Sequence, residues 1–208
     1  MPIRRLLFLA ILLCSSCSQL TLFQDAKTLG KGNASIGAYG SIYTAGADSF
    51  DSTYPIPTVA VHGSYGVAKK LDLQLSISSL TSIMLSPKLQ LYGDKESRTA
   101  FAFNPAFELL ATDEGEANGS LLFNVHYSSI YSVQLRETSA FFFEPKYVRR
   151  YRDIETNEDL YGLTVGGVFS NKKQLNLGLG LSFFRQYHID AFIIQAGFGI
   201  TYKILKDK

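Results

Sequence analysis

The feature that most constrains this chain is a period of two that runs through almost its whole length. Leu71-Asp72-Leu73-Gln74-Leu75-Ser76-Ile77-Ser78 alternates strictly between apolar and polar. Successive side chains of a β-strand point to opposite faces, so this alternation marks a strand with one apolar and one polar side. Leu175-Asn176-Leu177-Gly178-Leu179-Gly180-Leu181-Ser182-Phe183 repeats it, with glycine on the second face. Arg98-Thr99-Ala100-Phe101-Ala102-Phe103-Asn104 begins another such segment, and Phe107 and Leu109 keep its parity. Further strands are predicted over 33–44, 58–67, 84–92, 121–128, 139–151, 160–169 and 191–204. No segment has the helical period. The chain is therefore all-β, with about ten strands predicted and eight as the lower alternative.

Strands of roughly 9–13 residues fit the ~9–11 residues that a tilted strand needs to cross a bilayer. Short polar turns are expected at Ala68-Lys69-Lys70, Gly93-Asp94-Lys95-Glu96 and Asn171-Lys172-Lys173, alternating with longer connections at 45–57, 112–119 and 152–159. That alternation is the habit of membrane barrels, with short turns on the periplasmic side. The stretch 129–138 is out of place, long where a short turn is expected.

Composition agrees. Charged residues are 18% of the chain, against roughly 25% in an ordinary soluble domain, and aromatic residues are 13%. The polar face (Gln74, Ser76, Ser78; Asn176, Gly178, Gly180, Ser182) is short of Lys and Glu, which makes it a poor soluble exterior and a good narrow lumen. Tyr39, Tyr43, Tyr65, Tyr92, Tyr127, Tyr147, Tyr151, Tyr161 and Tyr202 sit near expected strand ends, where interfacial girdles form. Pro87, Pro105 and Pro145 fall inside expected strands and cannot donate to a ladder, so bulges or interfacial positions are expected there. The net charge of +2 gives no reason to expect a nucleic-acid partner.

The N-terminus reads as an export signal. Arg4 and Arg5 precede the apolar run Leu6 to Leu13, far shorter than the ~20 residues of a spanning helix. Residues 1–16 are expected to be signal peptide, 17–32 a periplasmic lead-in, 33–204 the barrel and 205–208 a tail. Cys14-Ser15-Ser16-Cys17-Ser18 resembles a bacterial lipobox, with Cys14 in place of the usual leucine. The resemblance implies lipid attachment at Cys17; ordinary cleavage near Ser16 is the alternative. The chain's two cysteines are these, so the mature body is expected to hold no disulfide and no cysteine metal site.

The C-terminal run Gln195-Ala196-Gly197-Phe198-Gly199-Ile200-Thr201-Tyr202 resembles the last-strand sorting signal of bacterial outer-membrane proteins. Gln195, Gly197, Ile200 and Tyr202 fill its places, and six residues follow where many such proteins stop. Tyr65-Gly66-Val67-Ala68-Lys69-Lys70-Leu71-Asp72-Leu73 and Ala26-Lys27-Thr28-Leu29-Gly30-Lys31-Gly32 are also similar to small outer-membrane barrels. The resemblance implies an antiparallel up-and-down transmembrane barrel in a bacterial outer membrane, with its lipids and the barrel assembly machinery as partners. It implies no activity.

Chemistry is sparse. His126-Tyr127-Ser128 resembles the His-x-Ser of barrel lipid A deacylases, although the Asn that follows there is Ser129 here. Residues two apart share a strand face, so a base and a nucleophile could meet, here on the lumen side near the periplasmic end. His188-Ile189-Asp190 is faintly similar to the Asp/His pair of ten-stranded outer-membrane proteases. Three scattered histidines suggest no metal and no cofactor. Glu108, Glu144, Lys146 and Arg150 share the expected lumen face with Lys88 and Gln90, as a charge network closing the barrel or as the lining of a small pore. Three roles follow: a structural or loop-mediated interaction protein with an unidentified extracellular ligand, a narrow channel for small solutes, or an envelope lipid-modifying enzyme using His126 and Ser128.

Overall fold

The computed structural model describes residues 23–47, 55–79, 81–94, 96–112, 120–151, 157–171, 174–187 and 191–205. Its strands are β1 (Ala34–Ala47), β2 (Ile56–Ala68), β3 (Leu71–Ser78), β4 (Ser82–Tyr92), β5 (Thr99–Phe103), β6 (Ala106–Thr112), β7 (Ser120–Arg136), β8 (Ser139–Tyr151), β9 (Asn157–Asn171), β10 (Leu175–Gln186) and β11 (Ala191–Ile204). Apart from β5 and β6, chain neighbours pair antiparallel, and β1 pairs with β11 in unbroken register from Ala34↔Ile204 to Ala47↔Ala191. The sheet therefore closes on itself and has no free edge. β5 and β6 both lie between β4 and β7 and are two halves of one stave. Ten staves make the barrel.

The alternation read from the sequence sets the two faces, and the structure decides which is out. Leu73, Leu75 and Ile77 of β3 are exposed while Asp72, Gln74, Ser76 and Ser78 are buried. β2, β4, β8 and β10 repeat the pattern, with Val59, Val61, Leu85, Phe143, Leu177 and Leu179 outside. A wall of Leu, Ile, Val, Phe and Tyr facing outward, around a polar interior, is stable in hydrocarbon and inverted for water.

Short connections gather at one mouth: Lys69-Lys70, Glu137-Thr138 and the stretch after Asn171, together with the 93–98 turn. In that turn the Asp94 carboxylate accepts from the Ser97 hydroxyl and from the Glu96 and Ser97 amides, which holds its pKa below the usual carboxylate value. Longer connections lie at the opposite mouth, apart from the tight link between β3 and β4. Register shifts at Gly66/Ala68, Gln90/Tyr92 and Gln134/Arg136 all sit near the short-turn mouth.

Several expectations change. The stretch 129–138 is strand down to Arg136, followed by a two-residue turn, so nothing long lies at that mouth. His126 and Ser128 consequently fall near the middle of β7, not at the periplasmic end. Tyr39 points inward and is buried, as a stacking partner rather than a girdle residue, and Tyr43 shares its inward face. Tyr65, Tyr92 and Tyr202 are exposed near the short-turn mouth. Tyr127, Tyr147, Tyr161 and Tyr187 form an outer row with ring centroids 6.1, 5.0 and 6.3 Å apart.

The prolines cause no bulge. Leu89↔Phe103 and Leu85↔Phe107 keep one register, which puts Pro87 directly across from Pro105. Neither can supply an N–H, so the rungs between them are missing. Inward side chains replace them: the Ser86 hydroxyl donates to the Pro105 carbonyl at 3.0 Å and to Asn104 Oδ1 at 2.7 Å. The Ser128 hydroxyl donates to the Asn104 carbonyl at 2.9 Å. Pro145 likewise interrupts the β7–β8 ladder between Ser128↔Lys146 and Tyr131↔Phe143 without shifting it.

Candidate functional site: a filled lumen

The interior is occupied along its length. From Phe23 the N-terminal segment, part of the stretch read from the sequence as a periplasmic lead-in, lies inside the barrel and runs toward the short-turn mouth. The wall grips its backbone. The Ala26 amide donates to Ser132 Oγ at 3.2 Å and the Thr28 amide to Gln90 Oε1 at 2.9 Å. The Leu29 amide donates to the Asp72 carboxylate at 2.9 Å. Lys88 Nζ donates to the carbonyls of Asp25 and Lys27 and to Gln24 Oε1, and stands 3.7 Å from Asp72. Lys27 Nζ reaches Gln134 Oε1 at 2.7 Å.

Glycine makes room for the segment. Gly178 faces Gly199, and Gly180 faces Gly197, across β10 and β11. A Cβ on Gly180 or Gly197 would collide with Phe23 and one on Gly199 with the Tyr39 ring, while one on Gly178 would press on Phe23 at 3.0 Å. Tyr39 stacks on His62 with centroids 4.4 Å apart, and Phe23 meets Tyr39 edge-on at 6.1 Å. The segment turns into β1 through Gly30 and Gly32, at φ of 83° and 81°, a region that glycine adopts without strain. There the Gly32 amide donates to the Gly66 carbonyl at 2.8 Å.

Nearer the other mouth the lumen is closed by charge pairs and an apolar block. Glu108 is fully buried. It accepts from the Ser82 hydroxyl at 2.8 Å and from Asn124 Nδ2 at 2.7 Å, and His126 Nε2 lies 3.1 Å from it. A buried carboxylate is tolerable only with such a set of donors. Lys146 pairs with Glu144 at 3.3 Å and Arg150 with Glu158 at 3.3 Å. Glu108, Glu144, Lys146 and Arg150 thus all face the lumen, as separate pairs with neighbours; the Glu108 partners Ser82, Asn124 and His126 and the Arg150 partner Glu158 were not read from the sequence. Val148, Leu160, Phe184 and Ile193 pack into an apolar cluster beside them.

The structure does not join His126 and Ser128 into a nucleophilic pair. Ser128 gives its proton to a backbone carbonyl, and His126 bonds through Nε2 to Glu108. His188 and Asp190 lie outside the described residues, as does Cys17. Of the sorting-motif residues, Gln195 and Gly197 face inward and Ile200 and Tyr202 outward. Gln195 Nε2 donates to Ser41 Oγ at 2.8 Å. Among the described residues no group of three or more His, Cys, Asp or Glu side chains is placed to hold a metal.

No protein-family model matches the chain, and no curated protein does. Solved structures do. An outer membrane channel from Pseudomonas putida F1 is similar over 88% of this chain and 100% of its own, at 11% identity and a TM-score of 0.50. The NanC porin aligns over 82% of this chain and 99% of its own, at 9% identity and a TM-score of 0.46. The attachment invasion locus protein Ail of Yersinia pestis aligns over 84% of this chain and 99% of its own, at 12% identity and a TM-score of 0.35. At these identities the likeness concerns the fold alone. Closed strand order, outward apolar face and polar interior together make this chain a ten-stranded β-barrel of the bacterial outer-membrane type.

Proposed function

We propose that this protein is a sealed outer-membrane barrel that serves as a membrane-held scaffold, meeting its partners through the connections at the loop mouth. The observation that carries the reading is the filled lumen: the Phe23–Leu29 segment closes one half and the Glu108 cluster with Val148, Leu160, Phe184 and Ile193 closes the other. A barrel of this size has little interior beyond its own side chains. In this reading Cys17 carries the lipid, and β11 is the strand presented to the assembly machinery. The ligand is extracellular.

Planar-bilayer recording of the full chain tests the seal, with no conductance above leak expected. Steady open-channel current from the native protein would overturn it. Replacing 113–119 by a short Gly-Ser link tests the scaffold role: the barrel should still show a faster-migrating unboiled band on SDS gels, while binding to host or neighbouring-cell surfaces is lost. Binding that survives replacement of each long connection in turn would remove the loops as the working surface.

A further inference from the structure

The two mouths of the barrel carry opposite charge. The short links 69–70, 93–98, 136–138 and 172–174 hold seven Lys or Arg against three Asp or Glu. The long connections 48–55, 113–119, 152–156 and 188–190 hold eight Asp or Glu against one Arg. On an outer-membrane barrel the short turns stand at the headgroup level of the periplasmic leaflet. Cations clustered at that level attract anionic headgroups.

Beside that basic mouth the outer wall is dented. The outward position 167 on β9 is glycine, and its register partners, Phe141 on β8 and Leu179 on β10, both stand out from the wall. Val165 and Phe169 flank it on the same strand face, so the missing side chain leaves a groove of about 450 Å³. The groove runs from Leu135 and Ser139, next to the β7–β8 turn, to Leu179 and Leu181, and its lining is almost wholly apolar. Gly167 lies four residues from Asn171, about 10 Å from the rim on a tilted strand that rises ~3.3 Å per residue. Two links bound the rim end. One is the turn after Arg136, which is exposed and is followed by Glu137. The other is the link in which the Gln174 amide donates to the Asn171 carbonyl at 3.2 Å, and Lys172 and Lys173 lie between these two in the chain.

We propose that this groove binds an anionic phospholipid of the periplasmic leaflet, with one acyl chain over Gly167 and the phosphate held by Arg136 and the Lys172-Lys173 link. In hydrocarbon no hydrophobic effect drives the filling. The chain is held by dispersion contact with Phe141, Phe169, Leu179 and Leu181, contact that an empty groove forfeits. Selectivity comes from the headgroup. A guanidinium pairs with two phosphate oxygens at once, and the three cations at the rim outnumber Glu137. A second copy of the chain fits worse. Two barrels in one membrane share an orientation, so packing groove to groove sets Arg136, Lys172 and Lys173 of each copy against their own kind. The site goes beyond the scaffold role proposed above and shares no residue with the loop mouth or the lumen.

The test is native mass spectrometry of the full chain from detergent micelles holding equimolar palmitoyl-oleoyl phosphatidylglycerol and phosphatidylcholine. These lipids share their chains and differ in headgroup charge. The native protein is expected to retain phosphatidylglycerol at least about tenfold over phosphatidylcholine, the ratio that one charged hydrogen bond supplies. Gly167→Leu fills the groove and should lose the bound lipid. Arg136→Gln/Lys172→Gln/Lys173→Gln should retain the two lipids equally. Gly63→Leu is the control: it lies on the outer face of β2, where a Cβ meets only the Ser35 carbonyl at 3.9 Å, and should behave as native. Each protein is first shown to be heat-modifiable on SDS gels. If Gly167→Leu does not fold, Ser139→Leu at the rim end of the groove takes its place. Equal retention of both lipids by the native chain, or native-like retention by a folded groove variant, overturns the site. A preference that survives removal of the three cations overturns the headgroup assignment. A native dimer that the groove variant converts to a monomer overturns the lipid in favour of a second copy. The variants leave the lumen and the loop mouth intact, so failure here is distinct from failure of the sealed scaffold.

Discussion

Glu108 gives the sharpest test of what the lumen contributes to stability. Its carboxylate is fully buried and receives three groups: Ser82 Oγ on Oε1, and Asn124 Nδ2 and His126 Nε2 on Oε2. Glu108→Leu fills the same space but leaves all three without that acceptor. An orphaned buried polar group costs about 1–3 kcal/mol, and breaking a buried ionic set by removing one member costs about 3–5 kcal/mol. Because the three share one oxygen pair their losses overlap, so the expected penalty is about 3–5 kcal/mol rather than a simple sum. Glu108→Gln is different. With its oxygen in the Oε2 place and its amide toward Ser82, whose hydroxyl can turn to accept, all three contacts survive as neutral hydrogen bonds. The expected loss is then about 1–2 kcal/mol, the difference between charged and neutral hydrogen bonds. The chain has no tryptophan. The assay is therefore urea titration in detergent micelles, with the folded fraction read from the fast-migrating unboiled band. A Leu variant within about 0.5 kcal/mol of native, the scatter of ordinary surface changes, would refute the reasoning. Equal losses for Gln and Leu would show that charge, and not hydrogen-bond count, sets the cost.

Three further outcomes follow from other parts of the wall. Leu75→Arg, at the middle of the outer face of β3, should destabilise the inserted barrel by about 2–4 kcal/mol in the same titration; an unchanged midpoint would mean that this face does not meet hydrocarbon. Gly199→Leu should abolish the fast-migrating band, because its side chain must enter the space of the Tyr39 ring pinned between Phe23 and His62. Tyr39→Ala in the same chain should restore folding in part, and native-like folding of Gly199→Leu alone would refute the cradle. Ser86→Ala should cost about 1–2 kcal/mol, since it strips the donor from the Pro105 carbonyl; no loss would mean the seam between the prolines is not held from inside.

The fold was legible because its code is simple: lipid on one side and a polar interior on the other force a period of two on each stave. The code failed where a residue answered to a local partner instead. On β7 Ser129 faces out beside Pro145, while Ile130 faces in and is buried in the cluster that holds Ala100, Ala102 and Phe142. The polarity inverts for two positions, so the strand seems to end early and His126 and Ser128 are read too near the mouth. Tyr39 misleads in the same way, since an inward aromatic is anomalous until its glycine cradle and His62 are known. The lumen charges were legible as a face but not as pairs, because pairing depends on cross-strand register. The occupancy of the lumen by residues 23–29 was not legible at all. Their backbone is held by Ser132, Gln90, Asp72 and Lys88, and a segment recognised through its backbone carries no periodic signal of its own.

The facing prolines also limit how this barrel can change over evolutionary time. Ser86, Asn104 and Ser128 occupy lumen positions, yet their hydroxyls and amide are committed to mending the wall where Pro87 and Pro105 left it without rungs. A lineage cannot refit that level of the interior for a new solute unless a proline is replaced first. The order of substitutions is thereby constrained: wall before contents.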